Sequence, residues 1–253
     1  MTDKPFFVGY LGLSQGMRVL FLVMAVLGIA AGAGLSMLIA GTQDDPGPAA
    51  LRFDFGRQTV TGIVELTPTP ILHVTEGTEN IPVGHTLMLS GQGKNGALPR
   101  ARPLDGQLAV ASGVLLTRGD LDMLQLRGGS NGLAAADGAA QGPAPMPEPL
   151  GRWRLAGEIS DGKCAAGAMR PGLGLAHKAC ANLCIANGLP PVFISSQPVE
   201  GADFMLIAGE AEAPMPAELY NWVAEYVVLE GDLARHGDLL VLTVDTSTLE
   251  HAQ

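Results

Sequence analysis

The chain has 253 residues, 47% of them apolar, with a net charge of −10 and a pI near 4.8. The apolar share is enough for packed cores and excludes wholesale disorder. The acidic balance, the lack of any Lys/Arg cluster and an aromatic content of 5% argue against a polyanion-binding face, so no nucleic-acid partner is expected.

Val19 to Ala40 reads VLFLVMAVLGIAAGAGLSMLIA, 22 residues without a charge. About 20 suffice to cross a hydrocarbon core. Lys4 and Arg18 precede the run and Asp44 and Asp45 follow it. The positive-inside rule therefore assigns residues 1–18 to the cytoplasm, 19–40 to one transmembrane helix of the cytoplasmic membrane, and the rest to the outside, the periplasm in a Gram-negative bacterium. The competing reading is a cleaved signal peptide with Ala31-Gly32-Ala33 as its small-residue site. Against it, the apolar run continues through Leu35, Met37, Leu38 and Ile39. Gly28, Gly32, Ser36 and Ala40 recur every four residues, a stripe that a second membrane helix could approach closely.

Beyond the helix the sequence is mainly β. Residues 133–149, LAAADGAAQGPAPMPEP, have no period and are rich in Ala, Gly and Pro, the composition of a semi-extended linker. This divides the soluble part into 51–132 and 150–250. The halves are alike: ASGVLLTRGDLDMLQL (111–126) and LEGDLARHGDLLVLTV (229–244) align without a gap, Gly113 on Gly231 and Gly119-Asp120-Leu121 on Gly237-Asp238-Leu239. Each copy is an alternating run, a Gly-Asp turn and a second alternating run, the pattern of a β-hairpin. Further strands are expected at 59–66, 86–90, 154–159 and 204–208, with Gly62 and Gly157 inside the first strand of each half where they permit a sharp coil. About five short strands per half suit two small OB-like β-barrels. Asp120 and Asp238 read as turn residues. The segment 90–96, SGQGKNG, lacks the Walker spacing and reads as a hairpin loop, while His73 and His85 read as structural histidines.

The second half carries an extra stretch, 161–191, with every cysteine of the chain: Cys164, Cys180 and Cys184. Leu175 to Ala186 has neither Gly nor Pro and is rich in Ala and Leu, so a helix is expected there, stopped by Asn187-Gly188. On that helix His177, Cys180 and Cys184 share one face, and Cys164 would come from the preceding loop. Four readings compete. Cys164, His177, Cys180 and Cys184 could hold zinc or copper, Met169 adding a soft donor that favours copper. Two of the thiols could instead form a disulfide that staples the loop. His177 could activate a cysteine nucleophile. Or the thiols could simply pack.

The Cys-x3-Cys spacing of Cys180 and Cys184 is similar to that of single-anchor copper-delivery proteins serving cytochrome oxidase, and to the oxidase's own binuclear copper loop. The likeness spans five residues, and His177 precedes the cysteines where those families place the histidine after them. It transfers no roles. No Rossmann fingerprint, His-Glu-x-x-His, haem-attachment motif or Gly-x-Ser-x-Gly elbow occurs, which lowers the expectation of an enzyme. The expectation is a membrane-anchored accessory protein of a membrane complex, its Cys/His site binding metal or switching redox state. The alternative is a structural interaction module with a disulfide-stapled insertion.

Overall fold

The computed structural model describes residues 14–42, 47–66, 68–137 and 144–252. The chain divides into two units, Met1–Asp45 and Pro46–Gln253. In the first, a single helix α1 (Gln15–Thr42) contains the apolar run, and its span Gln15–Ile39 is long and apolar enough to cross a membrane. A signal sequence has the same property. Lys4, Asp44 and Asp45, on which the expected orientation rests, lie outside the described residues.

The second unit holds all the described β-structure. Its first half runs β1 (Ala50–Leu51), β2 (Gln58–Glu65), β3 (Ile71–Glu76), β4 (Thr86–Ser90), a one-turn helix α2 (Leu98–Ala101), β5 (Leu108–Arg118), β6 (Leu121–Leu126) and β7 (Leu133–Ala135). The second half runs β8 (Glu148–Asp161), helix α3 (Lys178–Ala186), β9 (Pro191–Val199), β10 (Ala202–Ala208), a short 3-10 turn at Ala217–Asn221, β11 (Tyr226–His236) and β12 (Leu239–His251). Strands β10-β12-β11-β8-β9 close into a barrel. In the first half β5 pairs with both β2 and β6, so the path β5-β2-β3-β4-β6 also returns on itself. Each ring contains one parallel pairing, β4 with β6 and β10 with β12.

The stretch 133–149 departs from the expected linker. Leu133–Ala135 is strand, paired antiparallel to Val110 and its neighbours on β5, and 148–149 already belong to β8. Residues 138–143 lie outside the described set.

Each ring has its own apolar core. Val60, Leu72, Leu87, Leu89, Leu115 and Leu124 are among those filling the first, and Ile159, Phe193, Met205, Ile207, Leu229 and Leu242 among those filling the second. A third cluster lies between the rings. Ile71, Met88, Leu116, Leu121 and Met123 of the first half meet Val192, Phe204, Leu206, Leu239 and Val241 of the second, all buried. The outward faces of the parallel strand pairs form this seam, so one strand packs on both faces and its burial pattern becomes continuous: β4 is buried at every residue.

The hairpin tips lock the seam reciprocally. Asp120, at the β5–β6 turn, accepts the backbone N–H of Asp203 (2.9 Å) and Phe204 (3.2 Å) at the start of β10. Asp238, at the β11–β12 turn, accepts the backbone N–H of Thr86 at 2.7 Å at the start of β4. Thr86 and Phe204 are separated along the chain by the same spacing as Asp120 and Asp238, so the halves are related by an approximate twofold. The Gly-Asp turns therefore do more than turn the chain.

Asp238 also faces His85, whose other ring nitrogen meets Asp122 at 3.0 Å. Burial opposes a charge on His85, but the two carboxylates outweigh it and push its pKa up to about 9. Nearby, Glu65 bridges His73 (2.6 Å) and His236 (2.9 Å). Burial alone would raise Glu65, yet the hydrogen bonds from His236 and His73 bring it down to about 2. Because the folded protein holds the His85 proton more tightly than the unfolded chain does, this stabilisation is complete below about pH 6.5 and drains away as pH rises to about 9. Stability derived from denaturant midpoints between pH 6 and 9.5 should fall by on the order of 1–2 kcal/mol, the upper range being reduced by solvent screening of the half-exposed Asp238. His85→Gln should flatten that slope; an unchanged slope in the variant would assign it elsewhere.

Candidate functional site

The insertion leaves the barrel where β8 ends. Asp161, fully buried at that strand end, accepts the Cys164 backbone N–H on Oδ1 at 2.8 Å and faces His177 Nε2 with Oδ2 at 2.9 Å. The chain then makes one wide helical turn, Cys164–Ala168, broken at Gly167, whose φ is +112°. Leu175–His177 is a 3-10 turn and α3 starts only at Lys178, so the expected helix 175–186 is split at its first turn. His177 thus occupies the N-terminal junction of α3. Cys180 and Cys184 lie one turn apart on α3 as expected.

All three sulfurs converge. The Sγ atoms of Cys164, Cys180 and Cys184 lie within 4.8 Å of one another, and all three cysteines are free thiols. Cys164 and Cys184 are buried, packed with Leu189, whereas Cys180 is half-buried at the mouth. Met169 joins them there: the Cys180 thiol donates to its Sδ at 3.5 Å. The structure therefore brings together four of the five expected residues as sulfur donors. His177 is the exception. Its ligand atom lies within 4.8 Å of donor atoms on Cys164 and Asp161, but its Nε2 is engaged by the Asp161 carboxylate and it does not group with Cys180 and Cys184.

Two lysines complete the surroundings, neither expected from the sequence. Lys94 comes from the 90–96 loop of the first half, and its Nζ donates to Cys180 Sγ at 3.0 Å. This loop is a tight bend leading from β4 to α2, tied to the end of α3 by the Gly96 N–H on the Asn187 carbonyl at 2.9 Å. Lys163, 3% exposed, crosses the other way and donates to the Gly91 and Gly93 carbonyls, each at 2.7 Å. The pocket is thus walled by both halves of the unit.

Electrostatically the pocket holds its inner thiols protonated. Burial pushes the Cys184 thiol up to about 12, with the Asp161 charge and Cys180 adding to it, and burial together with Asp161 raises Cys164 further. Burial lowers Lys163. Buried thiols held protonated are poor nucleophiles at neutral pH, which weighs against the catalytic-cysteine reading. Iodoacetamide at pH 7 should therefore modify Cys164 and Cys184 at least tenfold more slowly than free cysteine; mass mapping of the alkylated peptides measures this.

No family model matches the chain, and no curated protein or solved structure matches it either.

Proposed function

We propose that the protein is a single-span, membrane-anchored accessory protein whose β-unit lies outside the cytoplasm and carries a sulfur-rich metal site serving assembly, metal handling or stabilisation of a membrane complex. The observation that carries this reading is the convergence of three thiols from two separate elements within 4.8 Å, with a thioether at the mouth. Zinc and copper both suit thiolate donors. Cys164, Cys180 and Cys184 would be the ligands, Met169 an outer one, and the Asp161–His177 pair would hold the loop from which Cys164 projects.

The strand arrangement supports OB-type barrels in both halves. Each is a five-strand ring in which the third and fifth strands run parallel and a helical turn precedes the fourth. The run of charge-free residues in α1 supports the anchor, and its flanking charges support the orientation.

The test is elemental mass spectrometry of the full chain, extracted in detergent without chelator or reductant. About one equivalent of zinc or copper is expected, lost in Cys180→Ser/Cys184→Ser. Metal-free protein with three titratable thiols, unable to take up either ion, would overturn the reading. For the topology, an alkaline phosphatase fusion after Gln253 should be active in cells, and an inactive fusion would place the β-unit on the other side.

A further inference from the structure

We infer that the site is built for a single copper(I) ion, bound by the sulfurs of Cys164, Cys180 and Cys184 with the Met169 thioether as an outer donor, and that Lys94 is a positioning residue for it. This rests on the metal-site reading and goes beyond it by selecting among ions.

The donor set favours copper(I). Every group free to bind at the convergence point is sulfur, and thiolate with thioether is the chemistry that selects a soft monovalent ion over zinc. The sulfurs need little movement. A planar three-sulfur site with metal–sulfur bonds of about 2.3 Å has sulfurs roughly 4 Å apart, and here they already lie within 4.8 Å. The nitrogen and oxygen donors that would suit zinc, His177 and Asp161, group with Cys164 but not with Cys180 and Cys184, so they lie to one side of the three-sulfur point.

The charge balance points the same way. Copper(I) on three thiolates carries a net charge of −2, and two ammonium groups stand beside the sulfurs. Lys94 is hydrogen-bonded to Cys180, and Lys163 is held under the same loop. A divalent ion would halve the anionic charge that the two lysines face. Outer hydrogen bonds of this kind orient and stabilise bound thiolates.

The route in is also lined with sulfur. Met169 is 42% exposed and Cys180 half-buried, while Cys164 and Cys184 are 5% and 1% exposed. An ion handed over by a soft carrier would meet Met169 and Cys180 first and sink onto the inner pair. On binding, three S–H bonds give up their protons to the buffer as three copper–sulfur bonds form. The copper enters as copper(I) and stays so, and no electron is transferred.

The experiment uses the full chain in detergent under nitrogen, titrated with copper(I) against bicinchoninate and, separately, with zinc against a chromophoric indicator, followed by X-ray absorption of the loaded protein. The expected result is one equivalent of copper(I) with sulfur as the only near neighbour. Met169→Leu should weaken copper by about tenfold while leaving the three cysteine sulfurs as near neighbours. Lys94→Met should weaken it by roughly 10- to 100-fold while Lys94→Arg retains most of the affinity. Met169 and Lys94 are not core residues, so these variants test the site without relying on a buried cysteine change. Preferential zinc binding with nitrogen in the shell, abolished by His177→Asn, would overturn the copper assignment and leave the metal site standing. Binding of neither ion would overturn both. Copper binding unchanged in Lys94→Met would remove the role assigned to Lys94.

Discussion

Gly157→Ala should abolish cooperative folding of the β-unit, or lower its stability by more than about 3 kcal/mol, a large share of the roughly 5–15 kcal/mol typical of a domain. Gly157 sits in β8, paired on one side with Ser195 of β9 and on the other with Val227 of β11. A methyl group there would fall well inside contact distance of the Ile194 carbonyl oxygen and against the Phe193 ring. Neither can withdraw: the carbonyl belongs to the neighbouring strand of a closed ring, and Phe193 is fully buried. Gly62 in β2 meets the His73 carbonyl in the same way, so the two rings share one device for tight closure. Urea unfolding followed by circular dichroism measures the effect. Gly128→Ala is the control, since the nearest atom to its new methyl is the Gln92 side chain at 3.4 Å. It should lie within about 0.5 kcal/mol of the parent. If Gly157→Ala matched that control, close backbone approach at β8 could not be what closes the ring.

Phe204→Ala should cost about 3–5 kcal/mol, the usual loss on removing a buried aromatic side chain. Phe204 is 1% exposed in the seam cluster, and its backbone N–H is accepted by Asp120. Asp120→Ala should cost about 1–3 kcal/mol, because it leaves two strand N–H groups without their acceptor. The two changes touch the same strand start, so their effects should be non-additive by about 0.5 kcal/mol or more in a double-mutant cycle. Both tryptophans, Trp153 and Trp222, are in the second half. Their fluorescence reports that half alone, whereas circular dichroism reports both. The two probes should coincide in the parent protein, as the shared seam requires, and Phe204→Ala should move both midpoints downward. A shift below about 1 kcal/mol would mean that the seam contributes little.

How far the sequence discloses this fold depends on the range of the interaction. Alternation of apolar and polar residues is local, and it locates the hairpins of β5–β6 and β11–β12 and the strand Thr86–Ser90 closely. The charge-free run likewise marks α1. Residues 133–135 escape because an added strand can be held by backbone hydrogen bonds alone, which impose no side-chain period on an Ala-rich stretch. Asp120 and Asp238 carry the chemistry of a turn, and nothing beside them indicates the strand start that each one caps more than 80 residues away in sequence. The site divides in the same manner. The clustering of Cys164, Cys180 and Cys184 is visible in the sequence because helical spacing and one short loop bring them together. Lys94 is not visible, because 86 residues separate it from Cys180. His177 has the right spacing to be a ligand, but the buried carboxylate of Asp161 takes its Nε2.

The approximate twofold has a consequence for stoichiometry. The bend that carries Lys94, closed by the Gly91 N–H on the Asn95 carbonyl, has a counterpart in the second half, where the Gly209 N–H bonds the Ala213 carbonyl. The position matching Lys94 in that counterpart is Glu212, which faces His236 rather than any sulfur. A lysine facing sulfur thereby stands on one side of the axis and an acidic residue on the other. Two barrels of common pattern would then load one ion per chain and not two, and the symmetric scaffold acquires a direction.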